Sequence, residues 1–131
     1  MKNAICAMAL VVACAGCFSS GYNVRMESDP VRVVRPVEVK SMREAILKGG
    51  ANRGWMMRSE KTGCVTLVLN VRGGKHSVVV DVLYTGDEFS VKYVESSNMD
   101  YEPATGAIRG KYIQWVRNLK QDILLEASKI R

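Results

Sequence analysis

Apolar positions recur along this chain first with a helical period, then with a period of two, then with a helical period again. From Ser41 onward, Met42, Ala45, Ile46 and Gly49 fall on one stripe at helical spacing. Ser41-Met-Arg-Glu44 has the capping-box form, in which the Ser41 hydroxyl accepts from the Glu44 amide and the Glu44 carboxylate returns to the Ser41 amide, so a helix is expected to begin there. Gly49-Gly50 weakens it and Arg53-Gly54 supplies a stop. Trp55 to Glu60 then reads as a strand, turned at Lys61-Thr-Gly63 into a second, where Val65, Leu67, Leu69 and Val71 alternate with Cys64, Thr66, Val68 and Asn70. Arg72-Gly-Gly-Lys75 is a hairpin turn, because glycine readily takes positive φ angles. Val78, Val80 and Val82 alternate with Ser77, Val79 and Asp81 in the third strand. After Thr85-Gly-Asp-Glu88, Phe89, Val91 and Tyr93 alternate with Ser90 and Lys92 in the fourth.

A polar stretch from Ser96 to Gly110 precedes a second helix, Lys111 to Lys129, with Tyr112, Trp115, Val116, Leu119, Ile123 and Ala127 on its apolar stripe and Arg117, Lys120 and Gln121 on the other side. One apolar face per element implies two layers. The expected fold class is α+β, a two-layer sandwich in which a four-stranded antiparallel meander carries an N-terminal and a C-terminal helix on one face, in the order α-β-β-β-β-α, over residues 41–131. Upstream, Val31 to Val39 alternates valine with charge, but Pro36 lacks a ladder donor and would confine the segment to a sheet edge. Residues 17–40 therefore read as an extended tether with uncertain pairing.

The first residues break with everything that follows. Met1-Lys2-Asn3 is a short positive start, and residues 4 to 13 are an apolar stretch of the length of a secretory signal and too short to span a bilayer. Leu10-Val-Val-Ala-Cys14-Ala-Gly-Cys17 resembles the bacterial lipobox, in which cleavage precedes a cysteine whose thiol is then diacylglycerylated. The resemblance implies a signal peptide at residues 1–16 and lipid attachment at Cys17. Cys14 is the alternative: Val11 suits it as the upstream residue, but it leaves a shorter signal. Two or three acyl chains, palmitate among them, would anchor the protein stably in a membrane. The residue after the cysteine, Phe18 or Ala15, is not the Asp that retains lipoproteins at the inner membrane, so the resemblance points to the outer membrane, facing the periplasm. A conventional signal, releasing a soluble periplasmic protein, is the competing expectation.

Charge changes this picture little. The formal charge is +6, and loss of Lys2 with the signal leaves 18 basic against 13 acidic residues, +5. The charges are scattered, and no basic run interleaved with aromatics marks a nucleic-acid surface. They read first as solvated surface charge, and attraction to acidic lipid headgroups is the better alternative to a nucleic-acid surface.

Ala45-Ile46-Leu47 with Gly54-Trp55, His76 before Val78-Val79-Val80-Asp81 and Tyr84, Phe89-Ser90-Val91-Lys92-Tyr93, Ser97-Asn98-Met99-Asp100-Tyr101, and Tyr112 with Trp115-Val116 and Asn118-Leu119 resemble a family of small uncharacterised proteobacterial lipoproteins. The likeness spans most of residues 45 to 119. Where such proteins often carry Ile-His before the last helix, this chain has Ile108-Arg109. The resemblance implies architecture and envelope location, and brings no established activity.

Candidate chemistry is sparse. His76 is the sole histidine, and a Cys64 nucleophile with His76 as base and Asp81 as orienter is the one arrangement an envelope enzyme could use. Nothing in the spacing brings the three together. Cys64 and His76 are also too few for a zinc site, and Gly73-Gly74 sits in a hairpin rather than before a helix, so no metal, nucleotide or other cofactor is expected. With Cys17 acylated, Cys64 is the remaining thiol; with Cys14 acylated, Cys17 could pair with it. The polar and aromatic run Ser97, Asn98, Asp100 and Tyr101 is the candidate partner-binding loop, with Asn and Asp equally suited to bonding their own backbone. The expectation is thus a non-catalytic binding or accessory domain that meets the bilayer through its acylated cysteine and an envelope protein, glycan or lipid through its loop, without nucleic acid.

Overall fold

The computed structural model describes residues 23–130 except Glu27; Cys14 and Cys17 lie outside the described residues. The elements run β1 (Asn23–Arg25), β2 (Val31–Arg32), α1 (Val39–Asn52), β3 (Trp55–Lys61), β4 (Cys64–Val71), β5 (His76–Tyr84), β6 (Glu88–Ser97), β7 (Ala107–Arg109) and α2 (Gly110–Ser128). The chain is α+β: the described residues form two helices and an antiparallel five-stranded sheet ordered β2-β6-β5-β4-β3, with β1 and β7 forming a separate antiparallel pair.

The sequence predicts four strands in the large sheet; the fifth comes from the expected tether. Val31 and Arg32 pair with Phe89 and Glu88, and the Val33 and Val37 amides donate to the Asp87 and Gly86 carbonyls. Burial explains the pairing, because Val31, Val33 and Val37 all pack partly buried against the core. Pro36 lies beyond β2, between the Val33 and Val37 bonds, where no ladder donor is required of it.

The meander follows its period of two. Val65, Leu67 and Leu69 of β4, Val78, Val80 and Val82 of β5, and Phe89 and Val91 of β6 turn inward. Met42 and Ile46 of α1, and Tyr112, Val116, Leu119 and Ile123 of α2, meet them. Each large apolar side chain taken from water stabilises the fold by about 1.5–3 kcal/mol. Trp115, expected among these, is only partly buried at the core's margin.

The two helices pack backbone to backbone at one point. A Cβ placed on Gly49 would lie 2.8 Å from the Ile123 amide nitrogen and 2.9 Å from its Cα, so only glycine lets α1 and α2 approach this closely. The capping box does not form. α1 begins at Val39 with Glu38 as its N-cap and no side-chain cap bond, which places Ser41 inside the first turn, and the first helical bond runs from Met42 N to Glu38 O. The pairing of Val37 with Gly86 fixes where the chain turns into the helix, and that tertiary constraint overrides a local motif.

Candidate functional site

The Ser97 to Tyr101 segment starts at the last residue of β6, where Ser97 pairs with Ser77, and its loop, Asn98 to Tyr101, is folded on a buried pin. Met99 is 1% exposed and sits in the core, flanked by Asn98 and Asp100, both in the left-handed region at φ 59° and 53°. Asn and Asp accept this conformation more readily than other non-glycine residues, because their short side chains bond locally. Asn98 Nδ2 donates to the Lys75 carbonyl at 2.6 Å, tying the loop to the β4–β5 turn. His76 Nδ1 lies 2.9 Å from the Asn98 carbonyl oxygen. A carbonyl only accepts, so Nδ1 carries the proton in this bond. The Arg109 amide donates to the Met99 carbonyl, and Arg109 Nε donates to Asp100 Oδ2, both at 2.9 Å.

Tyr101, 36% exposed, is the outermost of three tyrosines. Its ring lies 4.4 Å from that of Tyr93, which meets Tyr112 edge-on at 5.9 Å. The Tyr93 hydroxyl shares a 2.7 Å hydrogen bond with Ser96, whereas that of Tyr112 is buried with no hydrogen-bond partner. Burial pushes the Tyr93 and Tyr112 phenols upward from the ordinary tyrosine range; the Ser96 bond opposes this at Tyr93, and the charge of a neighbouring phenol adds to both. The four candidate residues are thus brought together and all exposed, Ser97 at the end of β6 and Asn98, Asp100 and Tyr101 on the loop after it, but Asn98 and Asp100 are partly engaged within the protein. Sequence reasoning missed Arg109, Lys75 and Met99 as the loop's supports.

Cys64 and His76 do not form a site. Cys64 opens β4 opposite Leu83, and His76 opens β5 opposite Val71, at the other end of the same hairpin. Seven residues of strand separate those ends, about 23 Å. Asp81 does approach Cys64: it is the register partner of Thr66, whose Oγ1 donates to Asp81 Oδ1 at 2.5 Å. Burial pushes the Cys64 thiol up, the Asp81 charge pushes it further, and Lys61 opposes both. That disfavours the thiolate a nucleophile needs. Cys64 is a free, buried cysteine among the described residues. Also among the described residues, no three His, Cys, Asp or Glu side chains lie close enough to hold a metal ion, and no helix is long and apolar enough to cross a membrane.

No family model, curated protein or solved structure matches the chain.

Proposed function

We propose that the chain is an envelope lipoprotein of the outer membrane, acylated at Cys17 with Cys14 the alternative, whose α+β domain is a non-catalytic binding or accessory module facing the periplasm. The observation that carries this reading is the sequence Met1 to Cys17: a positive start, a ten-residue apolar stretch, and a cysteine directly after Ala15-Gly16. Chain length supports a role close to the bilayer. From Cys17 to Asn23, where β1 begins, there are six steps of at most about 3.6 Å, so the domain is held within roughly 20 Å of its anchor. The Ser97 to Tyr101 loop supports the binding role, since a core-pinned loop presents Tyr101 with little conformational freedom left to lose.

Metabolic palmitate labelling tests the anchor. Labelling is expected in wild type and Cys14→Ser and lost in Cys17→Ser. Loss in Cys14→Ser alone would move the attachment to Cys14, and an unlabelled wild type would leave a conventionally secreted protein. In-cell photocrosslinking from Tyr101 should capture an envelope component; capture unchanged by Asn98→Ala and Asp100→Ala would remove the loop from the reading.

A further inference from the structure

Two hollows of about 700 and 450 Å³ lie along α2 against the Val31–Arg35 segment and adjoin at Leu124, which lines both. Each falls in the range of roughly 300–1,000 Å³ usual for small-molecule sites. The second hollow is lined by Val33, Val34, Leu124 and Ala127, and its polar residues are engaged within the protein. Arg35 Nη2 donates to the Ile130 carbonyl at 3.1 Å, and Ser128 Oγ donates to the Leu125 carbonyl at 2.6 Å. A polar ligand would find little there to bond, whereas an apolar one gains with each methyl group it covers. Val34 is the clearest case: at 102% exposure it stands in water as no other large apolar side chain among the described residues does.

The first hollow is the way in. Gly110 lines it at the start of α2, Val31 and Ile113 supply apolar groups along it, and Leu124 hands it on to the second. From Gly110 to Leu124 the helix rises about 21 Å at about 1.5 Å per residue, close to the length of an extended palmitoyl chain. The described chain begins at the same place. Asn23, the first residue of β1, pairs with Arg109, the neighbour of Gly110. Cys17 is six residues before Asn23, within roughly 20 Å along the chain.

We infer that these two hollows hold one acyl chain of the protein's own anchor, laid past Val31, Ile113 and Leu124 with its end among Val33, Val34 and Ala127. The inference rests on the membrane-anchored reading above and deepens it. Two acyl chains left in the bilayer still suffice for stable attachment. The third, drawn into the hollows, lays α2 against the membrane surface and fixes how the domain faces the bilayer.

The full chain, made in cells fed palmitate that carries a diazirine, can be purified, placed in nanodiscs and irradiated. Adducts are expected within one molecule, in the monomer band, joining the acylated N-terminal peptide to peptides covering residues 31–35 and 110–128. Leu124→Glu, at the junction of the hollows, should lower their yield by about tenfold or more, because it sets a carboxylate in the path of the chain. Val34→Glu, on a fully exposed position, should lower it severalfold without disturbing the fold, and Met56→Glu, equally apolar at the start but on β3, should change nothing. Adducts confined to lipid, to other surfaces or to a second copy, or a Val34→Glu yield equal to that of wild type, would overturn the proposal. Loss of the adducts on adding free unlabelled palmitate would also overturn it, assigning the hollows to a separate fatty acid. Intact mass separates the two readings: an acylated chain without these adducts fails the hollows and leaves the anchor, whereas an unacylated chain fails the anchor and this inference with it.

Discussion

Tyr112 joins a ring at the centre of the core to a hydroxyl without a hydrogen-bond partner. An unpaired buried hydroxyl costs about 1–3 kcal/mol, so Tyr112→Phe should leave stability at pH 7 unchanged or raise it by about 1 kcal/mol. A loss larger than that in urea unfolding would show that the hydroxyl has a partner. The same residue sets an alkaline limit. Its folded pKa is raised above the unfolded 10.0, so the folded state keeps a proton that the unfolded state releases, and stability falls as pH rises past 10. One such group contributes a slope of up to about 1.4 kcal/mol per pH unit. The wild type should therefore lose stability above pH 10, and Tyr112→Phe should remove that part of the loss; an identical profile in the variant would refute the assignment. The helical stripe marks Tyr112 as buried from sequence, but the fate of its hydroxyl depends on neighbours that only the fold supplies. Asn98 is similar: its tolerance of a left-handed backbone is legible, its bond to the Lys75 carbonyl is not.

At the scale of elements, the Gly49 contact gives the sharpest expectation. Alanine normally favours a helix over glycine by about 1 kcal/mol. Here the new methyl would meet the Ile123 backbone, which cannot move aside as a side-chain tip can. Gly49→Ala should thus destabilise by about 1–3 kcal/mol in spite of its propensity, measured as a lower denaturant midpoint; a gain would mean that the helices slide apart freely. The spacing of Met42, Ala45, Ile46 and Gly49 reveals which face of α1 is buried, and the paired glycines hint at close approach. The hairpins from β3 to β6 are legible because alternation and turn residues agree. β2 and β7 are not, being two and three residues long, too short to show a period. Ile108, fully buried in β7, is the only mark of order that its stretch of sequence carries.

On the scale of the whole molecule, the segment before α1 belongs to the sheet and not to a free linker. The Val33 and Val37 amides, bonded at 3.0 and 2.8 Å, should exchange with deuterium at least tenfold more slowly than an unstructured chain. Exchange at the unstructured rate would return this segment to the tether. A hollow that Val31 lines together with Ile113, Arg117, Lys120, Gln121 and Leu124 of α2 exists only because this segment returns to the fold, so neither the helix pattern nor the valine pattern announces it alone. Arg117, Lys120 and Gln121 read from sequence as a solvated helix face, because periodicity reports what faces the core and is silent about what a distant segment walls in.

The far edge of the sheet bears on how copies of this chain would meet if the proposed anchor holds them in one membrane. β3 has β4 on one side, and its pairing shifts register between Met57 and Ser59, where Arg58 is the extra residue. Arg58 reaches across to Glu95, and Glu60 is gripped through both oxygens by Arg43 of α1. An edge that is bulged and charged makes a poor template for a neighbour's strand. Copies held in two dimensions meet their own kind far more often than copies dispersed in a volume. In such a crowd the misfit of one strand would keep neighbours separate, so that the proposed anchor concentrates the chain without joining its sheets edge to edge.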